Sequence, residues 1–163
     1  MRHSPIMIVV MFGAMMLVPH AAFAAQWMVG AGVSDFDDGE VASATAEVHD
    51  PGLWAIGPAE VGLGAAGRAD DTGSAWLGVG LSATADLGSR LFLEASVMPG
   101  YYSKGSARTD LGGNLQFRSL LGIGYTLTAA TQLSLALDHL SNAGTSNDNP
   151  GANTVQLRLQ QRF

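Results

Sequence analysis

Two residues near the C-terminus are of types that do nucleophilic chemistry together. His139 and Ser141 stand two apart in Leu137-Asp138-His139-Leu140-Ser141-Asn142-Ala143-Gly144. Side chains of a strand alternate with period 2, so in a strand this pair shares one face. A neutral imidazole can accept the proton of a serine hydroxyl. The oxygen then attacks an ester carbonyl, and nearby donors stabilise the oxyanion. The chemistry is acyl transfer to water. His-x-Ser alone is a weak signal, and the plainer reading makes His139 an amphipathic anchor. The neighbours sharpen the question: Leu133, Leu135 and Leu137 occupy the same face. A candidate nucleophile and its base therefore sit on an apolar surface, and the elements that carry them must explain why.

The chain opens with Met1-Arg2-His3, an apolar run from Ile6 to Val18, and the small-x-small sequence Ala22-Phe23-Ala24. That is the pattern of a secretory signal peptide cleaved after Ala24. The apolar run is shorter than the roughly 20 residues that span a bilayer as a helix. Export of residues 25–163 as one domain follows. The full chain carries 8 Lys+Arg against 14 Asp+Glu, a formal charge of −6, and loss of Arg2 with the leader makes it more acidic still. A basic footprint for nucleic acid is absent from the composition. There is no cysteine, so an exported domain of this size must hold itself by a continuous core or a closed sheet. Beyond the leader only His49 and His139 remain as imidazoles, which gives no zinc set, and the sequence calls for no metal or other cofactor.

From Trp27 onward, short alternating segments are separated by Gly, Asp, Asn, Ser and Pro clusters. Eight are discernible: 27–34, 41–48, 61–68, 76–85, 91–98 running on to Tyr101-Tyr102, 115–126, 132–141 and 153–163. Asp50 to Pro58, Leu87 to Arg90 and Ala129 to Thr131 read as turns, and Ser103 to Gly113 as a longer loop. Eight such segments predict an all-β fold, an eight-stranded antiparallel up-and-down barrel. One face of the segments is plain Leu, Val and Ala. The other carries Glu94, Gln116, Arg118, Asp138 and Arg158. Charges suit the interior of a narrow barrel whose apolar face meets lipid, so the prediction is a transmembrane barrel. Aromatics near segment ends (Trp27, Tyr101, Tyr102, Tyr125, Phe163) fit interfacial girdles, and the last segment, ending in Phe163, resembles the final strand of bacterial outer-membrane barrels. A soluble lipid-binding barrel is the competing reading, and it predicts extraction without detergent.

With a periplasmic start, the connections after the first, third, fifth and seventh strands face outside the cell. His139 and Ser141 then lie at the outer end of the seventh strand, facing lipid. By the same parity Asn153 faces lipid on the eighth, next to them, whereas Asp138 points into the barrel. A polar trio facing the bilayer is costly unless it acts on something there. His49 falls at the far end of the second strand and reads as structural.

His139-Leu140-Ser141-Asn142-Ala143-Gly144 followed by Asn149-Pro150-Gly151 resembles the signature of the outer-membrane lipid A 3-O-deacylases (the PagL type). The likeness is dense in the last 25 or so residues and architectural before them. It implies hydrolysis of the ester-linked 3-hydroxyacyl chain at position 3 of lipid A, without a metal, in the bacterial outer membrane. His139 would be the base and Ser141 the nucleophile. Asn142, Asn149 and Gly144 would support the site or its oxyanion hole. Lipid A, as part of lipopolysaccharide, and outer-membrane lipids are the implied partners, with no nucleic acid; a homodimer is left open. One departure stands out, because Asn153 occupies the position where the family typically has Glu. Three outcomes remain open: a Ser-His-Asn arrangement, a carboxylate supplied by Asp148, or a weakened relative. The alternative function is a non-catalytic barrel, structural or adhesive, that retains the motif.

Overall fold

The computed structural model describes residues 25–36 and 39–162. The signal-peptide reading and the terminal Phe163 lie outside the described residues. Eight strands follow one another: β1 (Gln26–Phe36), β2 (Gly39–Ile56), β3 (Ala59–Asp70), β4 (Ala75–Gly88), β5 (Leu91–Ser103), β6 (Leu115–Thr126), β7 (Thr131–Ser141) and β8 (Ala152–Arg162). Each pairs antiparallel with the next, and β8 pairs back onto β1 to close the barrel. Closure leaves no sheet edge, which a strand-based crossing of a membrane requires.

Alternation along each strand divides the residues between two unlike environments. The outward face carries Leu77, Val79, Leu81, Val97, Leu121, Ile123, Leu135, Leu137, Val155 and Leu157, all exposed. The inward face is closed off and carries paired charges and amides beside an apolar cluster that includes Trp76, Met98 and Leu140. Glu47 holds Arg118 at 2.9 Å and Arg158 at 3.2 Å, while Asp138 meets Arg118 at 3.3 Å. Gln156 donates to Asp138, and Glu94 accepts from Ser134 and Gln160 at 2.6 and 2.7 Å. A soluble barrel would reverse this arrangement. Charges buried in pairs inside and aliphatic side chains exposed outside are stable only when the outside is hydrocarbon. The protein is a transmembrane β-barrel.

The ends differ as that environment demands. Leu91 follows Gly88 across Ser89 and Arg90, both with positive φ (52° and 69°), and residues 127–130 join β6 to β7. At the other end, residues 104–114 and 142–151 form the long connections, marking the extracellular side. The 104–114 loop contains a short 3-10 turn (Ala107–Thr109), folds over the barrel mouth and buries Leu111.

Two expectations need correction. Asp50 to Pro58 is not a turn: β2 continues to Ile56 through an irregularity between Asp50 and Trp54, and only residues 57–58 reverse the chain. The Asp-Pro-Gly sequence reads as a break, but cross-strand pairing with β3 accommodates it as a bulge. Tyr102 is not part of an interfacial girdle. It lies on the inward parity of β5 with Phe92, Glu94 and Met98, is buried, and donates its hydroxyl to the Thr109 carbonyl at 2.6 Å. Tyr101 and Tyr125 do face outward.

Candidate active site

The site is assembled by register. On the outer face of β7, His139 lies directly opposite Ser119 of β6 on one side and Asn153 of β8 on the other. Ser141, two residues further along β7, lies opposite Phe117. The Cα atoms of His139 and Ser141 are separated by two strand residues, roughly 6–7 Å. Below them on the same column come Leu137, Leu135 and Leu133, so the polar residues cap an apolar wall.

His139 is oriented by a neutral partner. Its Nδ1 stands 2.9 Å from Asn153 Oδ1. An amide oxygen only accepts, so Nδ1 is the donor in this hydrogen bond, and in a neutral ring the lone pair is then on Nε2. That tautomer is the one a general base needs toward Ser141. Among the described residues Ser141 Oγ makes no hydrogen bond, to His139 or elsewhere, so its hydroxyl is unengaged. Of the two alternatives for the third member, Asn153 is the residue in contact. The Asp148 side chain is exposed and makes no bond to His139. Asp138, as parity requires, is buried inside on Arg118 and Gln156.

The loop after β7 is held by the asparagine side chains. Thr145 N–H donates to Asn142 O at 3.0 Å across Ala143 (φ 53°) and Gly144 (φ 77°), a tight turn with both central residues left-handed. Asn142 is fully buried beneath it. Its Oδ1 accepts from Gly144 N–H at 2.9 Å, and its Nδ2 donates to Asp148 O at 2.6 Å and Leu111 O at 3.2 Å. Its backbone N–H donates to Asn149 Oδ1 at 3.0 Å. Asn142 and Gly144 thus have their donors committed to the loop, while Asn149 Nδ2 finds no acceptor among the described residues. His49 lies inside the barrel at the opposite end, 2.9 Å from Glu47.

Three residues with a part here were not assigned one by the sequence. Gly151 has φ 71°, and a Cβ there would stand 2.9 Å from His139 Cε1, so the loop's return path leaves room only for glycine beside the imidazole. Gly112 lets the 104–114 loop approach Asp148 O, where a Cβ would come within 1.9 Å. Ser119 is a hydroxyl on the lipid-facing parity of β6, next to His139; the break in that strand's apolar alternation was the available signal.

A family model described as Lipid A 3-O-deacylase (PagL) matches residues 19–162. The chain belongs to this family. Among curated proteins, the lipid A deacylase PagL of Bordetella bronchiseptica is 35% identical over 77 residues, which is 47% of this chain and 43% of that protein. The matched stretch thus spans less than half the length of that relative. Among solved structures, the outer-membrane enzyme PagL superposes with a TM-score of 0.68 at 18% identity, covering 83% of this chain and 99% of its own. Neisserial surface protein A gives 0.54 at 16% identity, covering 85% and 96%. A de novo designed transmembrane barrel gives 0.57 at 12%, covering 88% and 98%. At these identities the structural likenesses establish the barrel. Family membership rests on the match along the chain.

Proposed function

We propose that this protein is a lipid A 3-O-deacylase, a serine esterase acting in the outer leaflet on the ester-linked 3-hydroxyacyl chain at position 3, with residues 1–24 removed on export. The observation that carries the reading is the His139–Asn153 hydrogen bond, 2.9 Å long, beside Ser141 on a lipid-facing strand end. It supports Nε2 of His139 as the base for Ser141, on the lipid-facing side of the strand end where this reading puts the acyl ester.

In the mechanism, Nε2 takes the Ser141 proton as Oγ bonds to the ester carbonyl carbon. The tetrahedral oxyanion is met by donors of the 142–149 loop, for which Asn149 Nδ2 is one uncommitted side-chain group, on the residue whose Oδ1 holds the Asn142 backbone. Collapse breaks the bond to the sugar oxygen, which leaves with the proton from Nε2. Water, deprotonated by the same nitrogen, then attacks the acyl-enzyme, releases the 3-hydroxy fatty acid and restores Ser141. Every step uses groups of one chain, and the closed barrel supplies them without a second copy. Leu137 and Leu135 offer the acyl chain a wall continuous with the bilayer.

The non-catalytic barrel remains the second reading, favoured by one observation: the group on Nδ1 is an uncharged amide, which orients an imidazole but does not neutralise an imidazolium. Mass spectrometry of lipid A from Gram-negative cells expressing the wild type or Ser141→Ala separates the two. Loss of one 3-hydroxyacyl mass in the wild type alone supports the esterase. Identical spectra, with both barrels folded in the outer membrane, favour the inert barrel.

A further inference from the structure

Barrel closure brings a carboxylate to the far side of Asn153. β1 and β8 pair so that Asp35 lies directly opposite Asn153, which itself lies opposite His139. Asp35 is exposed and follows the outward parity of Val33, while Ser34 between them is fully buried inside. One row therefore crosses four strands on the lipid-facing side at the extracellular rim: Ser119, His139, Asn153 and Asp35. Asn153 has its Oδ1 committed to His139, and its Nδ2 has no acceptor among the described residues. An amide that accepts from an imidazole at one end has a donor left at the other, and directly opposed cross-strand residues have Cβ atoms only about 5 Å apart.

We propose that Asp35 is a positioning residue for the hydrolysis, supplying through Asn153 the negative charge that the His139 imidazolium meets in the transition state. The proposal rests on the deacylase reading above. It offers a source of negative charge at the position where the resemblance implies Glu and this chain has Asn153: a carboxylate one strand further, directly opposite the Asn153 amide in the β1–β8 register. Two strand spacings separate the Asp35 and His139 backbones, roughly 10 Å. Over that distance the attraction is worth about twofold in rate in a water-like medium and about fifteenfold at the effective dielectric of a protein surface.

Other charges face the same region. Glu40 of β2 lies opposite Asp35 on its other side and is exposed, one strand further from His139. Asp148 sits in the loop, with its backbone carbonyl on Asn142. β6, β7 and β8 present no further charged side chain on this part of their outer face among the described residues. Glu40 serves as the control, because it has the same sign and exposure without adjacency to Asn153.

The test is steady-state deacylation of lipid A in detergent micelles by the purified full-length barrel. The variants are Asp35→Asn, Asp35→Glu, Glu40→Gln, Asn153→Asp and the Asp35→Asn/Asn153→Asp pair, each checked for folding by heat-modifiable migration. Asp35→Asn, which keeps shape and removes charge, is expected to lower kcat twofold to fifteenfold with KM unchanged. Asp35→Glu should recover most of the rate, and Glu40→Gln should stay within about twofold of wild type. In the Asn153→Asp background, where charge reaches His139 directly, loss of Asp35 should cost little. Two results overturn the proposal while leaving the deacylase intact. One is an Asp35→Asn enzyme with wild-type kcat while Ser141→Ala is dead. The other is an equal loss in both backgrounds, which places Asp35's effect outside Asn153. A folded wild type without activity overturns both readings together.

Discussion

Converting the neutral partner of His139 into a charged one is the most direct probe of this site. Asn153→Asp preserves the side-chain outline and places a carboxylate oxygen where Oδ1 now stands, 2.9 Å from Nδ1. Hydrogen bonds between neutral groups contribute about 0.5–1.5 kcal/mol, and those to charged groups about 1.5–3. On the proposed mechanism the difference, on the order of 1–1.5 kcal/mol, applies most fully once the imidazole has gained its second proton, in the transition state for attack. At about 1.4 kcal/mol per decade it corresponds to a rise in kcat of roughly tenfold. KM should move little, because the new charge sits behind the imidazole and away from the ester. The assay is single-time-point and then steady-state release of 3-hydroxy fatty acid from micellar lipid A, followed by mass spectrometry. A kcat that is unchanged or lower in a folded Asn153→Asp barrel refutes the reasoning. It would mean that charge on Nδ1 does not limit the reaction, and that the amide is there only to orient the ring.

Gly151→Ala should lower kcat by tenfold or more in the same assay. Its Cβ would stand 2.9 Å from His139 Cε1 at a φ of 71°, so either the ring leaves Asn153 or the loop moves. Asn142→Ala removes three side-chain hydrogen bonds from a fully buried position, each worth about 1 kcal/mol. The 142–151 loop should become cleavable by added protease while the barrel stays closed; a protected loop would contradict this account of Asn142. Inside the barrel, Glu47→Gln leaves Arg118 and Arg158 without their shared carboxylate. Removing one member of a buried pair costs about 3–5 kcal/mol. The urea midpoint of folding in detergent should fall accordingly, with the outer-face chemistry unaltered in the molecules that remain folded.

The sequence carried most of the fold because period 2 is a local property. Leu133, Leu135 and Leu137 against Gln132, Ser134 and Asp138 fix which face of β7 meets lipid, and the same parity put His139, Ser141 and Asn153 outside and Asp138 inside. The pairing of His139 with Asn153 was also within reach, since two consecutive strands joined by one loop have few registers that keep both faces consistent. Tyr102 could have been placed by its own parity on β5. Its position in a tyrosine pair near a strand end drew it to the interface instead.

What the chain alone could not supply depends on contacts far apart in sequence. Asp35 and Asn153 meet only because β8 closes onto β1, and no local pattern encodes the register of a closure between the two ends of the barrel. Ser119 reaches His139 through the β6–β7 register, and Gly112 matters only because one extracellular loop rests on another. The continuation of β2 through Asp50 to Ile56 likewise comes from β3, whose pairing outweighs the local turn preference of Asp-Pro-Gly. Residue types and alternation determined that this is a lipid-facing barrel with an imidazole and a hydroxyl at its rim. Only closure of the sheet decided which acidic and polar groups stand beside them, because register between distant strands is set by the whole ring of hydrogen bonds at once.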